Sequence, residues 1–199
     1  MYYTKPINWN REVLAYMVGI ALGDGNLSLM NGRSVRLRVS CDLKYPFLIT
    51  EILGAIYYIL PESRINIVKA AGQCVNIISH SNYWESILGW KANGGSKFLQ
   101  NAKVPDWIWC KDEYIKACLK GLIESDGCVY NDRGYPMVAF TNTVRDLAVN
   151  VWYMIKWLGF APRIYSVMPK SKFNTQRRYN VRLSKNVQEF LYLIQPVKA

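Results

Sequence analysis

The chain is written twice. Met17-Val18-Gly19-Ile20-Ala21-Leu22-Gly23-Asp24-Gly25 and Leu119-Lys120-Gly121-Leu122-Ile123-Glu124-Ser125-Asp126-Gly127 share an apolar run, a small residue at a fixed offset, and a closing carboxylate and glycine. Each segment reads as the last turns of a buried helix that delivers one Asp at its C-terminal end, with the glycine just beyond as a left-handed cap. A lone Asp-Gly pair marks an ordinary turn. Two in matched contexts predict two equivalent acids and constrain the chain to fold as two related halves.

The stretches C-terminal to the two motifs also repeat. In the first half, Val35, Leu37 and Val39 alternate with Arg36, Arg38 and Ser40, the period of a half-buried strand. Asn31-Gly32 marks a hairpin turn, so residues 27–30 are expected to pair with it. A helix between Pro46 and Pro61 comes next, then strands over 64–70 and 74–79, then a helix opened by Asn82 and Glu85 as cap and acid. In the second half, Gly134 marks the turn and residues 137–140 a strand. Thr143 to Asp146 resembles a capping box for a helix reaching Gly159, strands cover 163–168 and 179–183, and Asn186 with Glu189 opens the closing helix. The expected class is α+β: two pseudo-symmetric α-β-β-α-β-β-α units, each with a four-stranded antiparallel sheet, packed through the two motif helices. The N-terminal half is placed at 1–90, a linker rich in Gly, Asn and Lys at 91–106, and the C-terminal half at 107–199.

Charge narrows the partner. The 199 residues hold 25 Lys and Arg against 14 Asp and Glu, a net +11. The excess is spread over both halves, with 10 basic and 6 acidic residues in 1–100, and 15 and 8 in 101–199. That distribution fits a polyanion lying across the whole molecule rather than a basic tail. An open sheet face carrying long cationic side chains can lie in a nucleic-acid groove. The DNA-contact candidates are Arg33, Arg36, Arg38, Arg64 and Lys69 in the first half, and Arg133, Arg163, Lys170, Lys172, Arg177, Arg178 and Arg182 in the second. Some would hold phosphates and others read guanine edges. The aromatic residues Trp84, Trp90, Trp107, Trp109, Trp152 and Trp157 are expected in the core.

Other chemistries find little support. The five cysteines are odd in number and form no C-x-x-C pair, so they read as reduced core residues of an intracellular protein. A single His80 supports neither a His-ligated metal nor a triad, and reads as a surface or groove residue. The longest apolar stretch, residues 13–23, is about half of what a bilayer needs, and no signal peptide is visible. The expectation is a soluble, cytoplasmic chain.

Gly19 and Gly23, like Gly121 and Ser125, stand four apart and form a flat strip on one helix face. If the two strips face each other, Asp24 and Asp126 meet where helix dipoles and unpaired carbonyls already concentrate negative charge. Two carboxylates there repel each other unless a divalent cation neutralises them. Oxygen-only ligands suit Mg²⁺, which keeps water while bridging protein to phosphate. Against a phosphodiester, the chemistry indicated is metal-assisted hydrolysis.

The doubled pattern resembles the LAGLIDADG homing endonucleases, specifically the single-chain, two-motif form often encoded in archaeal introns. The resemblance covers nearly the whole chain and extends to Lys97 and to Val104-Pro105-Asp106-Trp107-Ile108 ahead of the second motif. It implies that Asp24 and Asp126 are the catalytic, metal-binding pair, with the carbonyls of Gly23 and Ser125 completing the coordination. It implies Mg²⁺ as cofactor, Mn²⁺ substituting and Ca²⁺ binding without cleavage. It further implies a monomer that cuts both strands of a long double-stranded DNA site across the minor groove, while the sheets read the major groove, with its own intron RNA as a possible second partner. Family members place an amide or lysine at the end of the second strand of each sheet. Here Cys41-Asp42 and Thr141-Asn142 stand there, so Asn142 is the candidate for orienting water, with Asp42 beside it. Lys97, Lys44 and Lys103 are candidates for balancing phosphate charge. Glu124 has no match in the first motif, where Leu22 stands, and is expected to face solvent or pair with a basic side chain.

The chain opens on Met1 and lacks a terminal His-Asn, which argues against a self-splicing intein, and no helix-turn-helix or zinc module is appended. Two other readings remain open at this point. One is a noncatalytic nucleic-acid binder, either an RNA maturase or a DNA-binding relative. The other is a basic enzyme with a small-molecule pocket, for which no Gly-rich phosphate loop or nucleophile motif speaks.

Overall fold

The computed structural model describes residues 10–169 and 176–198. The first unit runs α1 (Arg11–Asp24), β1 (Gly25–Met30), β2 (Ser34–Asp42), α2 (Pro46–Ile59), β3 (Ile65–Lys69), β4 (Cys74–His80) and α3 (Trp84–Leu88). A 3₁₀ turn over Asp106–Cys110 leads into the second unit. That unit contains α4 (Asp112–Ser125), β5 (Gly127–Asp132), β6 (Tyr135–Asn142), α5 (Arg145–Trp157), β7 (Arg163–Val167), β8 (Arg178–Leu183) and α6 (Val187–Ile194). The α+β class and the doubled element order match the expectation. The strand orders are β1-β2-β4-β3 and β5-β6-β8-β7, antiparallel throughout.

The alternation in β2 settles which face is covered. Val35, Leu37, Val39 and Cys41 are buried on the helix side, leaving Arg36 and Arg38 on the open side. Val138 and Phe140 of β6 repeat this in the second sheet, with Val181 and Leu183 of β8 beside them. Residues 14–22 of α1 are all buried, because the helix is wrapped by α4, α2 and β2 and has no solvent face. The buried core is one continuous cluster drawing on both units, from Leu14 through Ile194.

The α1–α4 seam explains the small residues. A Cβ on Gly19 would overlap the Cys118 carbonyl oxygen, and one on Gly121 would overlap the Tyr16 carbonyl oxygen. The backbones therefore touch at Gly19 and Gly121, and the two helix ends are brought together.

The connector is tied down. Gln100 accepts from the Lys91 amide at 2.8 Å and donates to the carbonyls of Lys91 and Gly95 at 2.9 and 3.0 Å. Val104 N donates to Asn150 Oδ1 at 3.0 Å, fixing its far end to α5.

Several local expectations are corrected. Gly25 is extended (φ −81°, ψ 151°), not left-handed, so each motif helix passes straight into a strand. Gly25 and Gly127 are glycine because a Cβ would press on the preceding turn, 2.6 Å from the Cα atoms of Ala21 and Ile123 respectively. None of the three predicted caps forms. Asn82 instead holds the start of β2, accepting from Val35 N at 3.1 Å, while Val144 and a left-handed Asn186 occupy the other two cap positions without side-chain bonds. Trp157 is 62% exposed, its Nε1 donating to Asp112, whereas Trp84 and Trp90 are buried. Cys41 and Cys118 are core residues, but Cys110 and Cys128 are exposed. No described helix is long and apolar enough to cross a membrane.

Candidate active site

Both motif acids sit at the α1–α4 meeting point. A Cβ on Gly23 would overlap the Oγ and Cβ of Ser125, so a glycine lets the end of α4 come this close to the end of α1, with Asp126 Cγ 3.3 Å from the same point. Asp24 keeps one side open to solvent, and Asp126 is half-buried. Burial raises both carboxyl pKa values, and the charge of Asp126 raises that of Asp24 further. The charged forms of the pair are therefore disfavoured unless a positive charge offsets the burial.

The surroundings of the two acids differ. Asn142 Nδ2 donates to Asp126 Oδ2 at 2.6 Å, and Asn142 Oδ1 accepts from Val144 N at 2.7 Å, which locks the amide orientation. Gly25 pairs with Val39, and Gly127 with Phe140, so the position matching Asn142 in the first sheet is Cys41. The Cys41 thiol is pushed up to about 12, by burial first and then by Asp24. Asp42 is turned to Lys44. Its Oδ1 accepts from Lys44 N at 3.0 Å and its Oδ2 pairs with Lys44 Nζ at 3.4 Å, a turn contact that holds its pKa below the usual range.

Lys97 reaches in from the connector. Its ammonium donates to the carbonyls of Ala21 (3.1 Å), Leu22 (2.7 Å) and Gly23 at the negative end of α1. Burial lowers it to about 8, against the opposing pull of Asp126 and Asp24. The Gly23 carbonyl, expected as a metal ligand, is thus engaged by an ammonium. The Ser125 hydroxyl turns back onto the Gly121 and Leu122 carbonyls, so its own carbonyl is the group it has to offer a metal. A second lysine also bears on the two acids. Lys198 favours the charged forms of both Asp24 and Asp126, and its ammonium lies 5.0 Å from the centre of the Tyr45 ring. The repeat itself carried the signal, because Lys198 stands almost as far past Asp126 as Lys97 stands past Asp24.

One cavity is lined by Asp126 and a second by its neighbour Gly127. The larger, of about 550 Å³, is lined by Gly23, Lys97, Asp126, Asn142, Gln176 and Arg178. The smaller, of about 250 Å³, is lined by Asp42, Lys44, Tyr45, Gly127, Cys128 and Lys198. No cluster of three or more His, Cys, Asp or Glu is present among the described residues. The donor set is two carboxylates and backbone oxygens, which fits a hydrated Mg²⁺ or Mn²⁺ and not a zinc ion.

The basic candidates divide by face. Arg36, held by Ser28 Oγ at 3.0 Å, and Arg38 share the open face of the first sheet with Asn26, Asn76 and His80. Lys69 pairs with the buried Val75 and so lies on the opposite face of its edge strand, away from Arg36 and Arg38. Arg33 is at the exposed tip of the β1–β2 hairpin, Arg133 at the tip of the β5–β6 hairpin, and Arg64 precedes β3, also exposed. Arg163 and Arg182 are partners on the open face of the second sheet, where Arg182 also binds Asp132 at 2.7 Å. Tyr130, Tyr135 and Tyr165 share that face, which makes it more aromatic than the first. Arg177 donates to Ser166 Oγ at 3.0 Å, and Arg178 lines the larger cavity. Lys170 and Lys172 lie outside the described residues. Glu124 does not face solvent: it is fully buried.

Residues 113–195 match the LAGLIDADG-like domain family. No curated protein matches the chain in sequence. Among solved structures, variants of the homing endonuclease I-DmoI align at 18% identity and TM-score 0.65, covering 92% of this chain and 95% of that one. I-DmoI in complex with DNA and Mn aligns at 16% and 0.64, covering 95% and 97%. The N-terminal LAGLIDADG domain of DUF199/WhiA aligns at 13% and 0.59, covering 98% and 87%. The second half thus carries the LAGLIDADG-like domain signature, and the chain as a whole has the fold of these LAGLIDADG structures.

Proposed function

We propose that the whole chain is a two-motif LAGLIDADG protein, with halves at 1–90 and 107–199 joined by 91–106, and that it is a site-specific double-strand DNA endonuclease. One observation carries this reading: the α1–α4 seam brings Asp24 and Asp126 together between two sheets whose open faces are basic. Both acids and both sheets belong to one chain, which supports action as a monomer. The likeness to I-DmoI bound to DNA and Mn supports duplex DNA as partner and a divalent cation as cofactor. We further take the protein as an intracellular, intron-encoded enzyme of the archaeal type, on the strength of the resemblance.

Asp24 and Asp126 would hold the divalent cations, with the Ser125 carbonyl as a further oxygen. Such ions supply a hydroxide at neutral pH and neutralise the leaving oxygen. The chain does the rest. Asn142 orients the Asp126 carboxylate and presents an amide to the larger cavity. Lys97 places a cation beside the acids, where phosphate charge would arrive. Arg36, Arg38, Arg163 and Arg182 face the groove.

The test is to incubate the protein with a randomised duplex library and Mg²⁺ and to sequence the ends. Double-strand breaks at one long sequence, lost in Asp24→Asn and Asp126→Asn, are the expected result. Equal cutting by both variants would overturn the active site. Tight binding without any cut would favour the noncatalytic reading, a DNA-binding relative or an RNA maturase, which Cys41 beside Asp24 makes worth testing.

A further inference from the structure

The segment following α6 is held by the second motif. Val197 N donates to Glu124 Oε1 at 2.7 Å, and the Tyr16 hydroxyl of α1 donates to Glu124 Oε2 at 2.8 Å. Both oxygens of a fully buried carboxylate are therefore satisfied, one by the other half of the protein and one by the segment after α6. At the same position in the first motif stands the buried Leu22, so helix packing does not ask for an acid. Beyond α6 the backbone turns through a left-handed Gln195 (φ 46°) and a buried Pro196, which aims Val197 at Glu124. The next residue is Lys198, whose ammonium lies over Tyr45 beside Lys44 and lines the smaller of the two cavities.

We infer that Glu124 is a positioning residue: it clamps the segment after α6 so that Lys198 is delivered to the smaller cavity. This gives a reason for a carboxylate where the first motif has a leucine. Lys97 arrives from a connector held by Gln100, whereas the segment carrying Lys198 beyond α6 is held by Glu124. A hydrogen bond to a buried carboxylate is a strong one for that purpose. The inference rests on the endonuclease reading for its purpose, but not for the clamp itself.

The test has one arm for each. In amide hydrogen exchange without metal or DNA, Val197 is expected to be protected. Glu124→Leu should speed its exchange by about tenfold or more, while the amides of 115–122 keep their protection. Glu124→Gln, whose carbonyl still accepts from Val197, should retain most of it. In single-turnover cutting of the mapped substrate, Lys198→Ala and Glu124→Leu should each lose roughly 10²-fold in rate. DNA affinity should be unchanged, and the double variant no worse than either single one. Additive losses, full activity of Lys198→Ala, or an unprotected Val197 in the parent would each overturn the proposal. A parent that cuts nothing, yet shows Glu124-dependent protection, would overturn the endonuclease reading and the clamp's catalytic purpose while leaving the anchor in place.

Discussion

Asn142 donates from Nδ2 to Asp126 Oδ2 at 2.6 Å, and no amide stands in the matching place beside Asp24, where the side chain is the Cys41 thiol. A thiol buried at 5% exposure and pushed up to about 12 neither orients a carboxylate nor holds a water as an amide does.

The two strands of a duplex should therefore be cut at unequal rates. On a supercoiled plasmid carrying the target, nicked circles should accumulate before linear product. Cys41→Asn should shrink that nicked intermediate, whereas Asn142→Cys should abolish most cutting of the faster strand. Equal strand rates in the parent, read on end-labelled DNA, would refute the asymmetry.

Removing either acid should separate stability from activity. Folding raises both carboxyl pKa values above the ordinary 3.8, so the folded state holds its protons longer than the unfolded chain. Stability without metal is then lost as pH rises from about that value through the raised ones, and the cost is fully present above them. Asp24→Asn or Asp126→Asn should raise the metal-free stability by about 0.5–2 kcal/mol, measured by denaturant titration. The same variants should lose cutting by about 10³-fold or more. Mg²⁺ should raise the melting temperature of the parent more than that of either variant.

Lys97 makes the opposite linkage. Burial lowers it from 10.5 to about 8 in the folded protein, so between those values the unfolded chain binds more protons. The cost of burying the ammonium is fully present below about pH 8 and is relieved as pH rises towards 10.5. Lys97→Met should flatten this rise in a pH series of chemical denaturation.

The seam gives a paired packing test. Gly19→Ala and Gly121→Ala place a Cβ against backbone of the facing helix and should cost about 1–3 kcal/mol or more. Gly54→Ala, in α2 with open space around it, should gain about 0.5–1 kcal/mol. Equal effects at all three positions would mean the helices do not touch at Gly19 and Gly121.

Much of the fold and half of the site are legible in the chain itself. The repeat places Asp24 and Asp126, and the alternation of Val35, Leu37 and Val39 with Arg36 and Arg38 shows which face of β2 is open. Chemistry that depends on distant partners is not legible. Asn82 and Asn186 look like helix caps, but Asn82 is drawn away by the Val35 amide and Asn186 turns left-handed. Gly25 looks like a left-handed cap, but its small size answers the preceding turn of its own helix. Glu124 looks like a surface acid because its two donors, Tyr16 and Val197, lie 108 and 73 residues away in sequence. Lys69 misleads for a simpler reason: alternation along a five-residue edge strand is too short to reveal which face is which.

The two open faces are unlike each other, one bearing Arg36, Arg38, Asn76 and His80, the other Tyr130, Tyr135, Tyr165 and Arg182. Joined in a single chain, such halves have polarity: they gain nothing from an inverted repeat, whose two arms would ask the same thing of different surfaces. A duplex that suits both should be read in one orientation only, and reversing one arm of it should abolish recognition that either arm alone cannot supply.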